Sequence, residues 1–274
     1  MSELLPAGDG FDLAAIDPSS TPGFTGSKKD AEKALAGATE ELATLQERLF
    51  AESTAGGTRS VLLILQAMDT AGKGGILRHV VGGVDPQGVR IHAFKAPTDE
   101  EKAHDFLWRV RQQLPAPGQI GVFDRSQYED VLIHRVRGFS SPEVIEQRYG
   151  QIAEFEREVV ASGTSILKVM LHISRDEQKA RLQERLDRPD KNWKFNPGDI
   201  DERQHWDAYQ EAYQIAIERT TTRDAPWYVI PADRKWYARW AVQHLLLGTL
   251  RELDPQWPAA DFDVDEQKRR LAAS

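Results

Sequence analysis

A glycine-rich segment that contains a lysine follows a strongly apolar run in the first third of the chain. Residues 61–65 read Val-Leu-Leu-Ile-Leu, and residues 72–75 read Gly-Lys-Gly-Gly. The apolar run is typical of a strand buried on both faces, and the residues after the glycines predict a helix. Between a strand and a helix, such a turn presents backbone N–H groups and a mobile positive charge to an anion. The spacing therefore predicts a phosphate-binding loop made of Ala71, Gly72, Lys73, Gly74 and Gly75.

The segment departs from the P-loop pattern G-x-x-x-x-G-K-[ST] at two positions. Ala67 stands where the first glycine is expected, and Gly74 stands where serine or threonine would bind Mg²⁺. A metal ligand must then come from elsewhere, and Asp69 is the nearest carboxylate. Because an aspartate repels phosphate unless a cation lies between them, we expect Asp69 to bind a metal. The alternative is a strand–turn–helix corner in which the glycines serve packing and Lys73 is solvated.

A second apolar run, residues 119–123, ends directly in Asp124, Arg125 and Ser126. Ligands gather at the carboxyl ends of parallel strands, where P-loop enzymes place a metal-binding carboxylate. Asp69 and Asp124 are therefore expected to hold one or two Mg²⁺ ions. Arg125 is expected to bind a phosphoryl oxygen through its two parallel N–H groups. The alternative is that Asp124 caps the next helix and pairs with Arg125.

Residues 174–219 are rich in arginine and poor in apolar residues, and they predict two charged helices. Arg181, Arg185 and Arg188 are spaced by four and three residues, so they share one side of a helix. We interpret the segment as a lid insertion that closes over phosphates. The alternative for each arginine is a solvated surface position that pairs with a nearby glutamate. Further positive charges that suit a long polyanion are Lys95, Arg109, Arg135 and Arg137.

The composition limits the classes of protein to which the chain can belong. Its 274 residues are 40% hydrophobic and 28% charged, which is ordinary for a water-soluble globule with a sizeable core. Cysteine is absent, which excludes disulfides and thiolate chemistry and suits a reducing cytoplasm. We expect no signal peptide and no membrane span, because no window is long and apolar enough. With a net charge of −8 and no basic stripe, nucleic-acid binding is not expected.

Five short apolar runs alternate with helical patterns along the chain. This order predicts an α/β fold with a five-stranded parallel sheet in one domain. Around this body we expect an irregular N-terminal arm over residues 1–27 and a helix over residues 29–52. This helix either docks on the core, which we favour, or pairs with a second subunit. The lid insertion occupies residues 174–219, and a charged tail covers residues 254–274.

Taken together, these segments resemble polyphosphate kinase family 2 over about residues 30–254. The matching segments are Leu65-Gln-Ala-Met-Asp-Thr-Ala-Gly-Lys-Gly-Gly75, Phe94-Lys-Ala-Pro97, His104-Asp-Phe-Leu-Trp-Arg109, Gly121-Val-Phe-Asp-Arg-Ser126, Gln127-Tyr-Glu-Asp-Val131, Trp193-Lys-Phe195, Trp206-Asp-Ala-Tyr209 and Ala225-Pro-Trp-Tyr-Val-Ile-Pro231. Several motifs in the family's order make the resemblance far more specific than the loop alone.

The resemblance implies a P-loop kinase fold and Mg²⁺-dependent phosphoryl transfer between inorganic polyphosphate and ADP, AMP or ATP. It implies that Lys73 binds phosphate, that Asp69 and Asp124 serve the metal and the acceptor, and that Arg125 and Arg181 contact phosphates. It also implies a homo-oligomer, either a dimer or a tetramer. Residues 66–67 and 94–97 are most similar to the subgroup that uses AMP as well as ADP. Asp124 favours ADP, because members that prefer AMP can carry asparagine there.

Two other functions are compatible with a phosphate loop. The first is an ATP-dependent nucleoside or nucleoside-monophosphate kinase, against which the missing Ser or Thr after Lys73 and the aspartate inside the loop both argue. The second is a non-catalytic module that binds nucleotides or polyanions, against which the joint presence of Lys73, Asp69 and Asp124 argues.

Overall fold

The centre of the fold is a sheet of five parallel strands within the described part of the chain. The structure is a computed structural model that describes residue 4 and residues 6–274. The strands are Ser60–Ala67 (β1), Val89–Ala93 (β2), Ile120–Asp124 (β3), Thr164–His172 (β4) and Trp227–Pro231 (β5). They lie in the order β2-β3-β1-β4-β5, and each neighbouring pair is parallel. The predicted α/β fold with a parallel five-stranded sheet is confirmed.

Helices connect and flank these strands. The α-helices are Lys28–Thr54 (α1), Lys73–His79 (α2), Asp99–Lys102 (α3), Trp108–Arg111 (α4), Ile133–Val136 (α5), Pro142–Ala161 (α6), Arg175–Asp187 (α7), Gly198–Glu202 (α8), Trp206–Thr220 (α9), Lys235–Leu253 (α10) and Val264–Ala272 (α11). Short 3₁₀ turns occupy Leu13–Ala15, Val81–Gly83, Pro86–Gly88, Gln127–Asp130, Asn192–Lys194 and Arg203–His205. Among the helices of the described residues, none is long and apolar enough to cross a bilayer.

The central strand β1 is buried along its whole length, as its continuous apolar run predicts. Parallel pairing with β3 places Leu65 beside Asp124. The chain then leaves β1 at Ala67 and enters the phosphate loop. Because parallel strands end at the same edge of a sheet, Asp124 and the loop are brought to one place by the strand register.

A buried charged network fixes the chain that follows β3. On β4, the Lys168 ammonium donates to the Glu156 carboxylate at 2.5 Å and to the Thr220 carbonyl at 2.8 Å. The Tyr128 hydroxyl donates to the other Glu156 oxygen at 2.7 Å. Lys168 and Glu156 are 0% and 1% exposed, and burial lowers the pKa of Lys168 while Glu156 offsets this. The network therefore joins β4, α6, α9 and the segment after Asp124 in one core.

The N-terminal arm lies over the far edge of the sheet and the start of α10. Of the predicted arm, residues 1–3 and residue 5 lie outside the described residues. The Ala7 N–H donates to the Trp227 carbonyl on β5 at 2.7 Å, and Leu13 is buried. The Asp233 N–H donates to the Pro18 carbonyl at 3.1 Å. The arm thus contacts the turn between β5 and α10, and helix α7 contacts the same turn.

The predicted lid insertion requires a correction to its boundaries. Residues 174–219 include α9, whose Tyr213, Ala216 and Ile217 side chains are buried in the main core. These apolar residues recur at helical spacing, so α9 is an amphipathic core helix and no part of a lid. The base of α7 is also packed, through Arg181 and Leu182. The portion that lies outside the core is the short-helix segment of residues 188–205.

Candidate active site

The phosphate loop ends where α2 begins at Lys73. Gly72 is the N-cap residue, with φ of +123°, and no side chain among the described residues caps this end of the helix. A φ in this range is readily adopted by glycine and strains other residues, which explains the residue type at this position. An uncapped helix start leaves N–H groups available to an anion. Thr70, at φ +64°, is a second left-handed residue in the same loop.

Two crossed ion pairs join the loop to the end of β3. The Lys73 ammonium lies 3.8 Å from an Asp124 oxygen, and the Arg125 guanidinium donates to an Asp69 oxygen at 3.1 Å. The four side chains are part-exposed, from 12% for Lys73 to 41% for Arg125. The structure therefore brings together four of the residues that the sequence singled out, and it leaves each accessible to a ligand.

Glu129 is a third carboxylate at this site and is not among the residues predicted from the sequence. Burial raises the pKa of its carboxyl, and the nearby Arg125 and Lys73 partly offset the rise. Burial alone would lower the pKa of Arg125, but the charges of Glu129 and Asp69 raise it. With Asp124, three carboxylates surround two cations, so a polyanion needs additional positive charge to bind here. The feature of the sequence that could have identified Glu129 is its position in the Gln127-Tyr-Glu-Asp-Val131 segment, directly after the Asp124 loop.

The carboxylates of this site suit a magnesium ion that is held partly by substrate. They do not form a site in which the protein alone supplies the metal ligands. The described residues contain no group of three or more His, Cys, Asp or Glu side chains placed to hold a metal. Mg²⁺ is commonly held by one or two carboxylates, with substrate phosphates and water completing its octahedral shell. Asp69 and Asp124 could serve in this way, since both are part-exposed, Asp69 lies within the loop and Asp124 contacts Lys73 of the loop.

A cavity of about 580 Å³ adjoins the ion pairs. Its volume is in the range of small-molecule sites, and Arg125 and Glu129 belong to both the cavity wall and the charged cluster. The Arg109 guanidinium lies 5.1 Å from the centre of the Phe94 ring, which makes one wall both flat and cationic. Residues that line it include Phe94, Lys95, Arg109, Arg125, Glu129 and Asp130.

Asp130 is a half-buried acid in the wall of this cavity. Burial raises its pKa to about 6, although the charges of Arg148 and Arg109 pull it down. Its carboxylate lies 3.7 Å from the Arg148 guanidinium and 3.5 Å from the His134 ring. Burial also lowers the pKa of His134. The negative charge of the cavity therefore changes between pH 5 and pH 7.

Comparison with known proteins identifies the relatives of this chain. The model of the family described as Polyphosphate kinase 2 (PPK2) matches residues 25–258. This chain belongs to the polyphosphate kinase 2 family. It is similar to the AMP/ADP-polyphosphate phosphotransferase of Meiothermus ruber, with 51% identity over 90% of this chain and 91% of that protein. It is also similar to the ADP-polyphosphate phosphotransferase of Rhodopseudomonas palustris, with 41% identity over 88% and 86% of the two chains.

A solved structure extends the similarity to the whole fold. The crystal structure of polyphosphate kinase 2 from Arthrobacter aurescens superposes with a TM-score of 0.98 and 58% identity. The match covers 99% of this chain and 96% of that chain. The similarity to that structure therefore extends over the sheet and the helices that flank it.

Within this polyphosphate kinase 2 chain, Arg181 is placed differently from its expected phosphate contact. Its side chain is 5% exposed, and all five N–H donors bond protein oxygens. The acceptors are a Glu177 oxygen and the carbonyls of Thr70, Ala71, Ala232 and Asp233, at 2.7–3.0 Å. In this arrangement its donor capacity is fully used by protein oxygens, and its predicted contact with phosphate stays a prediction.

The other arginines that were predicted to bind phosphate are paired with carboxylates in this arrangement. The pairs are Arg135 with Glu211 (3.0 Å), Arg185 with Asp199 (3.3 Å) and Arg188 with Asp190 (2.8 Å). Each carboxylate lowers the net positive charge that its arginine offers to a polyphosphate chain. Their assignment to phosphate binding stays a prediction, whereas Lys95 already lines the cavity.

Proposed function

We propose that this protein transfers a phosphoryl group between inorganic polyphosphate and ADP or AMP. The observation that carries the proposal is the pair of crossed contacts, Lys73 with Asp124 and Arg125 with Asp69, beside a nucleotide-sized cavity. Membership of the polyphosphate kinase 2 family supports the reaction class. The printed names of the Meiothermus ruber and Rhodopseudomonas palustris relatives support this pair of substrates.

The proposed roles follow from where each side chain lies. The nucleotide occupies the cavity, where Arg125 reaches from the ion-pair cluster to its phosphates. Lys73 and the uncapped start of α2 bind the phosphoryl group that is transferred. Catalysis of the transfer then rests chiefly on positioning and electrostatics. Donor and acceptor oxygens are held in line, while the cations offset charge on the equatorial oxygens of the phosphoryl group. Closure of the segment 188–205 excludes water and favours transfer over hydrolysis.

Mg²⁺ is the proposed cofactor, with Asp69 and Asp124 as its protein ligands. When bound, the ion supplies positive charge that neutralises the substrate phosphates. The excess of carboxylates over cations at the site supports this assignment. Lys73 and Arg125, which pair with the two aspartates here, are then free to bind phosphate oxygens.

A donor–acceptor panel tests the proposed reaction. The purified full-length chain is incubated with ADP or AMP and either polyphosphate or ATP as donor, with and without Mg²⁺. We expect ATP from ADP, or ADP from AMP, with polyphosphate and Mg²⁺ together. Turnover with ATP as the donor and none with polyphosphate would support the ATP-dependent kinase instead. Binding of nucleotide without turnover under any condition would support the non-catalytic module.

The same panel decides between the two acceptors. Asp124 favours ADP, whereas residues 66–67 and 94–97 are similar to the subgroup that also uses AMP. We propose that both acceptors are used and that ADP has the higher kcat/KM. The expected homo-oligomer, a dimer or a tetramer, is tested by sedimentation of the full chain. The expected cytoplasmic location stays a prediction.

A further inference from the structure

Three consecutive carbonyls of the phosphate loop accept hydrogen bonds from one helix. The Gln178 amide donates to the Asp69 carbonyl at 3.0 Å. One Arg181 nitrogen donates to the Thr70 carbonyl at 3.0 Å and to the Ala71 carbonyl at 2.9 Å. Helix α7 is more than 100 residues from the loop in sequence, so this contact is made by tertiary folding alone.

The other half of the Arg181 guanidinium is anchored in the turn after β5. Its second terminal nitrogen donates to the carbonyls of Ala232 and Asp233 at 2.7 and 2.8 Å. The Asp233 carboxylate in turn accepts from the Ser174 N–H at the start of α7 at 2.8 Å. Arg181 thus connects the phosphate loop to a rigid part of the core.

These contacts orient the polar groups of the loop. The described chain has no cis peptide bond, and in a trans peptide the carbonyl and the following N–H point in opposite directions. Carbonyls of Asp69, Thr70 and Ala71 that face α7 therefore turn the next N–H groups away from it. The negative ends of these peptides are also removed from the side that an anion approaches. The left-handed backbone at Thr70, a β-branched residue, makes this shape costly without outside support.

We propose that Arg181 and Gln178 are positioning residues that hold the phosphate loop in its anion-binding shape. Neither side chain contacts substrate in this role, which rests on the proposed phosphoryl transfer at the loop. Arg181 supplies a planar set of five donors that only a guanidinium offers. Gln178 supplies a donor to the loop and an acceptor on its other side.

The second contact of Gln178 couples the loop to the lid segment. Arg203, in the segment of residues 188–205, donates to the Gln178 side-chain oxygen at 2.7 Å and to the Arg175 carbonyl at 2.9 Å. This bond fixes the amide with its oxygen toward the lid and its nitrogen toward the Asp69 carbonyl. Movement of the lid segment is thereby transmitted to the backbone of the metal-binding aspartate.

Amide hydrogen exchange on the substrate-free protein tests whether Arg181 and Gln178 hold the phosphate loop, independently of activity. The protected amides of the loop are those of Ala71, Gly75 and Ile76, which donate to Met68 and Gly72 carbonyls. Arg181→Lys keeps the charge but has too few donors to reach both backbones, and Gln178→Glu replaces the loop donor by an acceptor. We expect exchange at these amides to rise at least about tenfold in both variants.

Two variants serve as controls. Gln183→Glu adds the same charge on an exposed face of the same helix, and Arg157→Lys changes an exposed arginine on α6. We expect exchange in the loop to be unchanged in both. Exchange within strand β4 reports whether each variant is folded, and it is expected to equal that of the original chain.

Steady-state kinetics separates positioning from direct phosphate binding. We expect kcat to fall by about tenfold or more in Arg181→Lys and Gln178→Glu, with the KM for polyphosphate changed less than about threefold. Unchanged loop exchange, combined with a raised KM for polyphosphate in Arg181→Lys, would make Arg181 a phosphate ligand and overturn the proposal. Because the exchange experiment uses no substrate, its result stands even if the proposed reaction fails.

Discussion

Single residues in the phosphate loop depend on backbone angles as much as on side-chain chemistry. Gly72, at φ +123°, turns the chain into α2. Gly74, two residues later, has ordinary helical geometry, and no described heavy atom lies within 4 Å of the position that its Cβ would take. The two glycines therefore stand in the same motif for different physical reasons.

Alanine substitution distinguishes the two positions. We expect Gly72→Ala to lower the free energy of unfolding by about 1–3 kcal/mol, because alanine is strained at this φ. Gly74→Ala is expected to be neutral or stabilising by up to about 1 kcal/mol, because alanine favours a helix over glycine. Urea denaturation of both variants measures the difference. Equal destabilisation of the two would contradict the assignment of the turn to Gly72.

Lys73 and Asp124 are the residues whose loss most directly tests the site. We expect Lys73→Ala and Asp124→Ala to lower turnover by at least roughly a hundredfold, the scale of removing a preorganised electrostatic group. Initial rates of ATP formation from ADP and polyphosphate provide the measurement. Lys28→Ala, at an exposed pair on α1, is the control and is expected to keep the full rate. Near-normal rates in both site variants would remove the site assignment.

Residue types located part of the site, and tertiary contacts decided the rest. Asp69, Lys73 and Asp124 were predictable because a strand, a loop and a helix start are local in sequence. Arg181 was not, because helical spacing tells which side of α7 it occupies and says nothing of the carbonyls it meets. Those carbonyls lie about 50 and 110 residues away. Glu129 was not predicted because only Arg125 is close to it in sequence, whereas Lys73 and Asp69 come from the loop after β1.

At the level of elements, amino-acid composition alone predicts a lid insertion that is too long, because it includes the core helix α9. Charged residues dominate α7 but are a minority in α9, and the prediction of a single insertion rests on the arginine content of the whole segment. The spacing of Trp206, Tyr213, Ala216 and Ile217 on α9 is amphipathic and was the better indicator. Helix α6 shows the same relation between spacing and burial, because Ile145, Tyr149, Ile152, Phe155 and Val159 recur at helical spacing and are all buried.

The charged network between β4 and α6 is an element-level contact with a measurable cost. Glu156→Gln leaves the Lys168 ammonium buried with no full negative charge beside it. We expect this variant to lose about 3–5 kcal/mol of the free energy of unfolding, measured by urea denaturation at pH 7.5. The double variant Lys168→Met with Glu156→Gln is expected to lose less than the sum of the two single variants, because it removes both charges.

An exposed ion pair provides the matched control for this network. Lys28 and Glu32 lie 3.7 Å apart on α1 and are more than half exposed. Glu32→Gln is expected to change the free energy of unfolding by less than about 0.5 kcal/mol. If the free energy of unfolding of Glu156→Gln lies within about 1 kcal/mol of that of the original chain, the buried Lys168 ammonium is stabilised by groups other than Glu156.

For the whole molecule, the alternation of strands and helices predicted the sheet, but it did not predict the cavity. The cavity wall collects residues from the segments around Phe94, Arg109, Arg125 and Arg148, and no local pattern marks them as neighbours. Its charge is likewise a property of the assembled fold. Asp130 faces Arg148, Arg109, Glu129 and His134, and burial among them raises its pKa to about 6.

This pKa makes acceptor binding depend on pH through Asp130. Below about pH 6 the carboxyl is protonated, so the cavity loses one negative charge and attracts an anionic nucleotide more strongly. Above pH 6 the charge returns, and the attraction weakens. We expect Asp130→Asn, which lacks the charge at every pH, to have an acceptor KM about three- to tenfold below that of the original chain at pH 7.5. The two KM values are expected to converge near pH 5.

The ratio of the two KM values is the measurement, because titration of the nucleotide phosphates affects both proteins equally and cancels. Asp261→Asn changes an exposed carboxylate in the C-terminal tail, and its ratio is expected to stay near one at all pH values. A constant ratio for Asp130→Asn between pH 5 and pH 8 would mean that Asp130 does not change its charge within the cavity in this range. An acceptor KM of Asp130→Asn that rises above that of the original chain with increasing pH would mean that the Asp130 carboxylate favours acceptor binding. The carboxylate would then act as a hydrogen-bond partner of the nucleotide and not as a repelling charge.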